Sequence, residues 1–330
     1  MMIRRRMFCR TLAGAGIGVA YAAAGQTPAK VHRLGILVLG NSEPPTDTRH
    51  PILAGLARLG LVEGVNLVAD VRIAHGKPEL LDGMAADLVA ARPDALFTGG
   101  GFATARALKK ATTNIPIVFA AVGEPVAAGL VASLARPGGN LTGGTIPAEL
   151  EIKRVQILME VLGANASVVN LTGPLSEARR AALLEALAPT RKVLGTRLRL
   201  VEISKSEELD PAFEQMARER VDGVAIRLTQ VTAPNGPKII ALAAKHRLAA
   251  IADGNHYTDA GLLMSYSIDW SEINHNATNY VYKILMGAWP ADLPIQQPSK
   301  FDFVINMRTA RTLGVRIPPS VLAMATRVTD

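Results

Sequence analysis

Cysteine is almost missing from this chain, because the one cysteine, Cys9, lies close to the amino terminus. The rest of the chain therefore has no residues for a disulfide framework, a thiol nucleophile or a zinc–thiolate site. Small secreted domains need disulfides, but a chain of this length buries enough apolar surface to fold without them. The sequence predicts a fold that packing alone stabilises.

Aromatic residues and clustered charges are also scarce. Aromatic side chains make up 4% of the sequence, and half of the net charge of +8 comes from four arginines within residues 1–24. The other basic residues are scattered along the chain. Because nucleic-acid binding needs clustered positive charge and stacking platforms, we expect no nucleic-acid partner.

Sequence motifs of catalysis and metal binding are missing as well. No pair among the six histidines has the spacing of metal ligands. Neither a G-x-S-x-G nucleophile elbow nor a Walker loop G-x-x-x-x-G-K-[ST] occurs. We therefore expect no metal, no cofactor and no catalytic residue.

Residues 1–24 have the pattern of an export signal. An arginine-rich start precedes an apolar, glycine- and alanine-rich stretch, and Ala22–Ala24 offers an A-x-A cleavage site. The apolar stretch is shorter than the ~20 residues that span a membrane, which disfavours the alternative of an anchor. The segment Arg5–Phe8 resembles a twin-arginine motif, and the general secretion route is the alternative. The pattern predicts a periplasmic protein.

From Val31 onward, short apolar segments alternate with amphipathic ones in two successive sets. Strands are predicted at residues 34–39, 66–73, 95–98, 115–120, 167–171, 197–203, 223–228, 249–252 and 301–305. Helices are predicted at residues 51–59, 78–91, 103–111, 177–190, 210–219, 234–246, 274–286 and 307–313, with a last helical turn after Pro318 and Pro319. We also expect a short helix between the strand at 115–120 and the turn Pro137–Gly139. Such alternation predicts the α/β class, with two doubly wound parallel-sheet lobes.

A proline-rich stretch, residues 289–301, follows the helix at 274–286. Its three prolines predict an extended or sheet-edge conformation. Composition alone does not explain this tail.

Ligands of open α/β sheets bind at the carboxyl ends of the strands, and this rule selects the candidate binding residues. The candidates are Asn41, Ser42, Gly100, Gly101, Phe102, Glu124, Thr172, Gly173, Arg227, Thr229, Asp253, Tyr257 and Tyr266.

Two of the loops that carry these candidate residues have alternative interpretations. Residues 99–104 carry two of the three glycines of a dinucleotide fingerprint, with Thr104 in place of the third. Bare amides at the start of the following helix would favour an anion, and a close-packed turn without ligand is the alternative. Glu124 would hold a ligand ammonium or serve as a helix cap.

The other candidates with distinct chemistry are an arginine and two tyrosines. Arg227, near the end of a buried strand, needs either a protein carboxylate or a ligand carboxylate as its partner. Tyr257 and Tyr266 would line a cleft and stack on a planar ligand. For Tyr266, the alternative is a hinge residue packed between two lobes.

Three long segments resemble the bacterial ABC-transporter substrate-binding proteins of the tryptophan/tyrosine-uptake type. They are residues 115–143, 259–266 and 280–322, and the resemblance covers essentially the whole chain after the leader. It implies a periplasmic-binding-protein fold of type I, with two lobes joined by three crossovers and a solute trapped by hinge closure. The crossovers are expected near residues 143–147, 266–270 and 298–303. The implied division is residues 30–143 plus 267–298 in lobe 1, and residues 144–266 plus 299–330 in lobe 2.

The chain departs from the family pattern at three places. Relatives often carry Gly-Thr-Pro where this chain has Gly101-Phe102-Ala103, Asp where it has Glu124, and Gly where it has Ser267. Phe102 would replace a hydroxyl with an apolar or stacking surface. These departures affect the identity of the solute more than the class of function.

The resemblance implies the periplasmic component of an ABC importer, a monomer that captures a small organic solute for a membrane permease. An amino acid or an aromatic or carboxylate compound is the expected solute. The first alternative is an exported α/β enzyme that acts on a small carboxylate. The second is a sensory receptor of the same fold.

Overall fold

The computed structural model describes residues 30–40, 50–99, 101–163, 165–175, 177–188, 190 and 197–330. The predicted export signal, residues 1–24, lies outside the described residues. The candidate site residues Asn41, Ser42 and Gly100 also lie outside them.

The first lobe is built on a five-stranded parallel sheet with the strand order β2-β1-β3-β4-β5. Its strands are β1 (His32–Val38), β2 (Leu67–Ile73), β3 (Ala95–Thr98), β4 (Ile117–Gly123) and β5 (Leu141–Ile146). Its helices are α1 (Pro51–Arg58), α2 (Leu81–Ala90), α3 (Phe102–Ala111) and α9 (Trp270–Leu285).

Both faces of the first sheet are covered by helices. Successive side chains of a strand point to opposite faces. In β1, Leu34 and Ile36 accordingly pack in the cluster with α1 and α9, whereas Leu37 packs in the cluster with α2 and α3. Burial on both faces explains why these strands appear in the sequence as continuous apolar runs.

The second lobe is built on a seven-stranded sheet with the order β12-β11-β10-β9-β8-β6-β7. Its strands are β6 (Val168–Thr172), β7 (Leu198–Glu202), β8 (Gly223–Ile226), β9 (Ala249–Ala252), β10 (Met264–Ile268), β11 (Phe301–Asn306) and β12 (Arg327–Thr329). Its helices are α4 (Glu149–Leu162), α5 (Glu177–Ala186), α6 (Leu209–Arg218), α7 (Gly236–Lys245), α8 (Asn255–Asp259), α10 (Met307–Leu313) and α11 (Pro319–Met324).

Helices cover both faces of the second sheet as well. Val168 of β6 packs in the cluster with α4 and α5, and its neighbour Val169 packs in the cluster with α6 and α7. Two strands depart from the predicted parallel arrangement, because β11 runs antiparallel to β10 and β12 runs parallel to β11. The reason is that β11 enters the sheet from the other lobe rather than through a helix on the same sheet.

The chain crosses between the two sheets three times. It leaves β5 at Ile146 for α4, leaves β10 at Ile268 for α9, and returns to β11 at Phe301. The strands β5 and β10 thus extend two or three residues past the predicted lobe boundaries at 143 and 266. These crossings belong to residues 31–330, which form one compact unit.

The second and third crossings are bound to each other. Asp269 accepts hydrogen bonds from the amides of Ser271 and Glu272, and its own amide donates to the carbonyl of Lys300 (3.0 Å). The Glu272 carboxylate accepts from the amides of Ser299 (3.0 Å) and Lys300 (2.9 Å). These bonds fix the two segments side by side at the hinge.

The proline-rich tail lies along the first sheet. It contains a short 3₁₀ turn, Pro290–Asp292, and Gln296 then forms a parallel bridge with Gly144 of β5. The Gln296 amide donates to the carbonyl of Gly143 (2.9 Å), and the Gln296 carbonyl accepts from Thr145 (2.8 Å). The expected sheet-edge conformation is therefore present at Gln296.

Several elements differ from the sequence predictions. The short helix expected after β4 does not form, because residues 125–130 make turns and β4 itself continues to Gly123. The predictions also omitted β5, α4, α8, β10 and β12. β5 was not predicted because two of its residues are glycines, which weaken the pattern of a strand. α4 was not predicted because its buried charges interrupt the apolar stripe of an amphipathic helix.

Gly143 permits the close pairing of β5 with β4. A β-carbon at this position would overlap the carbonyl oxygen of Phe119 and lie 2.6 Å from the Phe119 ring. We expect Gly143→Ala to lower the free energy of unfolding by about 3 kcal/mol, measured by urea denaturation. Gly83→Ala in α2 is the control, since a β-carbon there meets nothing within 4 Å. An equal loss in both variants would contradict this account.

Candidate functional site

The candidate site lies where the carboxyl ends of the parallel strands of the two sheets face each other. Gly123 ends β4 in the first lobe, and Arg227 follows β8 in the second. A β-carbon on Gly123 would lie 3.1 Å from Nη2 of Arg227 and 3.2 Å from Nη2 of Arg179 in α5. Two guanidinium groups of the second lobe thus reach the end of a strand in the first lobe.

Arg227 has a protein carboxylate as its partner. Its Nη1 lies 2.5 Å from Oε1 of Glu151 in α4, whose side chain is 6% exposed. Asn170 of β6 donates from Nδ2 to the other oxygen of Glu151 (3.4 Å). Because Nη1 is engaged with Glu151 while Nη2 lies near Gly123, Arg227 contacts both a buried acid and the opposite lobe.

A second buried ion pair lies one helical turn further along α4. Nη1 of Arg154, a side chain that is 2% exposed, lies 3.2 Å from Oδ1 of Asp253 and donates to the carbonyl of Tyr266 (2.9 Å). Asp253, predicted to contact ligand, therefore also holds a protein cation. In sequence, Glu151 and Arg154 lie on a helix that also carries Glu149, Lys153 and Glu160, so nothing marks these two charges as the buried ones.

Arg179 lies in the candidate site but was not predicted from the sequence. Burial lowers the pKa of the Arg179 guanidinium most, and the positive charge of Arg227 lowers it further. The negative charges of Glu124 and Glu151 oppose this shift. These four charged groups therefore lie close enough to interact across the strand ends. In sequence, the dipeptide Arg179-Arg180 on an alanine-rich helix has the pattern of a solvent-exposed face.

Glu124 has an unusual backbone conformation for its residue type. Its φ angle is +49°, in the left-handed region that non-glycine residues seldom adopt. Its carbonyl accepts from the amide of Ala128 (2.9 Å) in a turn, so no helix follows for Glu124 to cap. Backbone strain of this kind is concentrated at functional sites.

The start of α3 brings Gly101 and Phe102 to the same edge of the first sheet. Gly101 has φ +90° and precedes α3, and its amide donates to the carbonyl of Ala121 (3.1 Å). Phe102 is half-buried, with the Arg106 guanidinium 5.5 Å from its ring centre. Thr104 is buried and donates its hydroxyl to the carbonyl of Gly101 (3.2 Å), which makes it a structural residue of the turn.

In the second lobe, two strand ends bring Thr172, Gly173 and Thr229 together. A β-carbon on Gly173 would lie 3.0 Å from Cβ of Thr229, so a larger residue there would crowd the Thr229 side chain. The Thr229 hydroxyl accepts from the amide of Thr232 (3.1 Å), and the Thr229 amide donates to the Thr232 hydroxyl (2.8 Å). Thr229 therefore stabilises its own loop.

Tyr257 does not face the cleft, which corrects the prediction made for it. Its side chain is fully buried in the core of the second lobe, where its hydroxyl donates to the carbonyl of Thr232 (2.8 Å). Burial raises its pKa to about 12. The tyrosine pattern alone does not distinguish a core position from a cleft position.

Tyr266 occupies the hinge, the alternative that the sequence analysis raised for it. Its ring stacks on Phe301 with the centres 6.0 Å apart, meets Phe303 edge-on, and packs against both the first-lobe and second-lobe cores. With Pro147, Leu150 and Phe301 it lines a cavity of about 390 Å³ beside the crossings. Apart from Tyr266, this cavity is lined by none of the candidate site residues.

Nowhere in the described ranges do three His, Cys, Asp or Glu side chains gather as a metal site requires. Among the same residues, no helix combines the length and the apolar character needed to cross a membrane.

Several known proteins resemble this chain. Residues 35–329 match the family described as ABC transporter substrate binding protein. The tyrosine-binding protein of Clostridioides difficile strain R20291 is 23% identical over 287 residues, which are 87% of this chain and 82% of that protein. A conserved domain protein of Vibrio cholerae O1 biovar El Tor is 31% identical with a TM-score of 0.81, over 91% of this chain and 100% of that chain.

A third relative is the Streptococcus pneumoniae protein crystallised in complex with L-Trp. It is 24% identical with a TM-score of 0.79, over 90% of this chain and 99% of that chain. Together, the two α/β lobes and these structural likenesses define the class of type I periplasmic binding proteins. Within that class, the chain belongs to the family of ABC transporter substrate-binding proteins, which capture solutes for membrane permeases.

The family confirms the resemblance read from the sequence, the fold class and the solute-capture function. The relatives are substrate-binding proteins rather than enzymes, which favours this function over the enzyme alternative.

The ion pair between Arg154 and Asp253 fixes α4 on the second sheet. We expect Arg154→Met to lower the free energy of unfolding by about 3 kcal/mol in urea, because it leaves a largely buried carboxylate unpaired. Arg72→Met is the control, since Arg72 pairs with Asp70 at similar distance (2.9 Å) but with side chains 41% and 38% exposed. We expect no measurable change there. Equal effects of the two substitutions would contradict a special role for Arg154.

Proposed function

We propose that this protein binds an amino acid or an aromatic or carboxylate compound between its lobes and closes around it at the hinge. The observation that carries the proposal is the reach of Arg227 from the second lobe to Gly123 of the first. A solute group that lies between Arg227 and Gly123 contacts both lobes. Because it makes more contacts in the closed state than in the open state, it favours closure.

The candidate ligand contacts lie on both sides of the cleft. On the first lobe they are Gly101, Phe102 and Glu124. Asn41, Ser42 and Gly100, which lie outside the described residues, are proposed from the sequence alone. On the second lobe they are Thr172, Gly173, Arg227, Thr229 and Asp253. Tyr266 contributes as a hinge residue, because its ring packs against the cores of both lobes.

Phe102 supports an aromatic or apolar part in the solute. It is half-buried at the start of α3, beside the strand ends. A ring at this position offers a stacking surface to a planar ligand. The tyrosine-binding and L-Trp-bound relatives make an aromatic solute a reasonable first choice.

The remaining parts of the proposal concern cellular context. We propose export through residues 1–24, residence in the periplasm, action as a monomer and delivery to a membrane ABC permease. The arginine-rich leader and the family support this assignment. The sensory-receptor alternative differs only in the membrane partner.

A thermal-shift screen tests solute capture. The panel contains L-tryptophan, L-tyrosine, aromatic carboxylates, small amides and purines. A solute at 100 times its Kd stabilises the protein by about 2.7 kcal/mol, so its Tm should rise by several degrees. Mass spectrometry should recover the solute unchanged. Conversion of the solute would favour the enzyme, and no shift across the panel would contradict the proposed solute classes.

Paired substitutions separate the two contacts of Arg227. We expect Arg227→Gln to weaken binding of a carboxylate solute about tenfold or more, because a charged hydrogen bond is lost. Since this change also leaves Glu151 without its cation, the double variant Glu151→Gln with Arg227→Gln serves as the control. Calorimetric titration should show the same loss in both. If the double variant regained wild-type affinity, Arg227 would serve only as the partner of Glu151.

A further inference from the structure

We propose that Arg179, Arg227 and Thr172 form a carboxylate-binding subsite on the second lobe, and that this subsite selects solutes carrying a carboxylate. The inference rests on the proposed function and specifies which lobe binds the acid group of the solute. The sequence offers two places for an anion, the start of α3 in the first lobe and Arg227 in the second.

The two guanidinium groups converge on one point. Their Nη2 atoms lie 3.1 and 3.2 Å from the position that a β-carbon on Gly123 would occupy. Arg227 comes from the end of β8 and Arg179 from the first turn of α5, so two separate elements aim donors at the same place. Guanidinium groups bind carboxylates with strong, directional hydrogen bonds.

Thr172 adds a hydroxyl beside Arg227. Leu171 of β6 pairs with Ile226 of β8, so Thr172 and Arg227 are neighbours in the next step of the register. Alternation places Thr172 on the same face as Asn170, which contacts Glu151. The Thr172 hydroxyl is fully buried and has no hydrogen-bond partner among the described residues. Such a group needs a partner, and a ligand oxygen would supply it.

The electrostatics of the pair agree with an anion site. Burial and, after it, the positive charge of Arg227 lower the pKa of Arg179, so the two cations repel each other. Glu151 is already engaged with Nη1 of Arg227. A ligand carboxylate between the two Nη2 atoms would offset the repulsion that remains.

The start of α3 is the weaker candidate for the same role. The Gly101 amide there already donates to the carbonyl of Ala121. In the second lobe, two guanidinium groups converge near Gly123, and the neighbouring Thr172 hydroxyl has no hydrogen-bond partner among the described residues. The geometry therefore favours the second lobe for the acid group.

The test compares matched acids and amides by calorimetric titration. The probes are L-tyrosine with L-tyrosinamide, and 3,4-dihydroxybenzoate with its amide. We expect Arg179→Gln to weaken binding of the acids about tenfold or more and to leave the amides unchanged. Arg180→Gln is the control, because Arg180 is the next residue of α5 and pairs with Glu202 at the surface. It should change neither affinity.

A second measurement needs no solute. If repulsion between Arg179 and Arg227 destabilises the folded protein, the ligand-free Arg179→Gln variant should have a Tm about 2 °C above that of the wild type. Loss of acid binding together with a higher Tm supports the subsite. If Arg179→Gln fails to fold, or melts lower, Arg179 is a structural residue and the proposal is overturned.

The outcomes separate this inference from the proposed function. Wild-type binding of acids with equal affinity in Arg179→Gln would overturn the subsite and leave solute capture intact. If the wild type binds none of the acids, the proposed solute class fails. The ligand-free Tm then decides the subsite alone, since a rise supports it and an unchanged or lower value overturns it. Arg179→Lys should retain charge but recover only part of the acid affinity.

Discussion

The buried ion pairs of α4 are the constraint on which the rest of the site depends. Glu151 pairs with Arg227 and Arg154 pairs with Asp253, so one helix contacts the ends of two neighbouring strands. Breaking a buried pair is strongly destabilising, because a charge is left without compensation. Since α4 is the first element after the first crossing, these pairs also fix where the second lobe begins relative to the hinge.

In this arrangement, the guanidinium of Arg227 makes two contacts that do not compete with each other. One side of its guanidinium is neutralised by Glu151, which itself receives a hydrogen bond from Asn170. The other side lies near Gly123 in the first lobe. The ion pair therefore sets the orientation of a group whose free edge faces the cleft. A side chain held in this way needs little reordering when a solute binds.

The strand ends of the cleft hold several features that a stability-optimised protein would avoid. Glu124 has a positive φ angle, Thr172 has a buried hydroxyl without a described partner, and Arg179 lies near a second arginine. Strain and unpaired polar groups of this kind persist where the surrounding fold enforces them and function uses them. Here the two α/β cores supply the stability, and the cleft between them carries the proposed binding groups.

The sequence by itself determined the α/β class, the positions of most strands, the family and the edge of each sheet where binding residues lie. Apolar runs and their spacing are local signals, so the chain carries them without tertiary context. Only the tertiary structure decided that Tyr257 is a core residue, that Tyr266 packs at the hinge, and that Arg179 lies beside Arg227. Those facts depend on which elements pack together across distant parts of the chain. Helix α4 escaped prediction for the same reason, because its buried charges find their partners on strands 70 or more residues away.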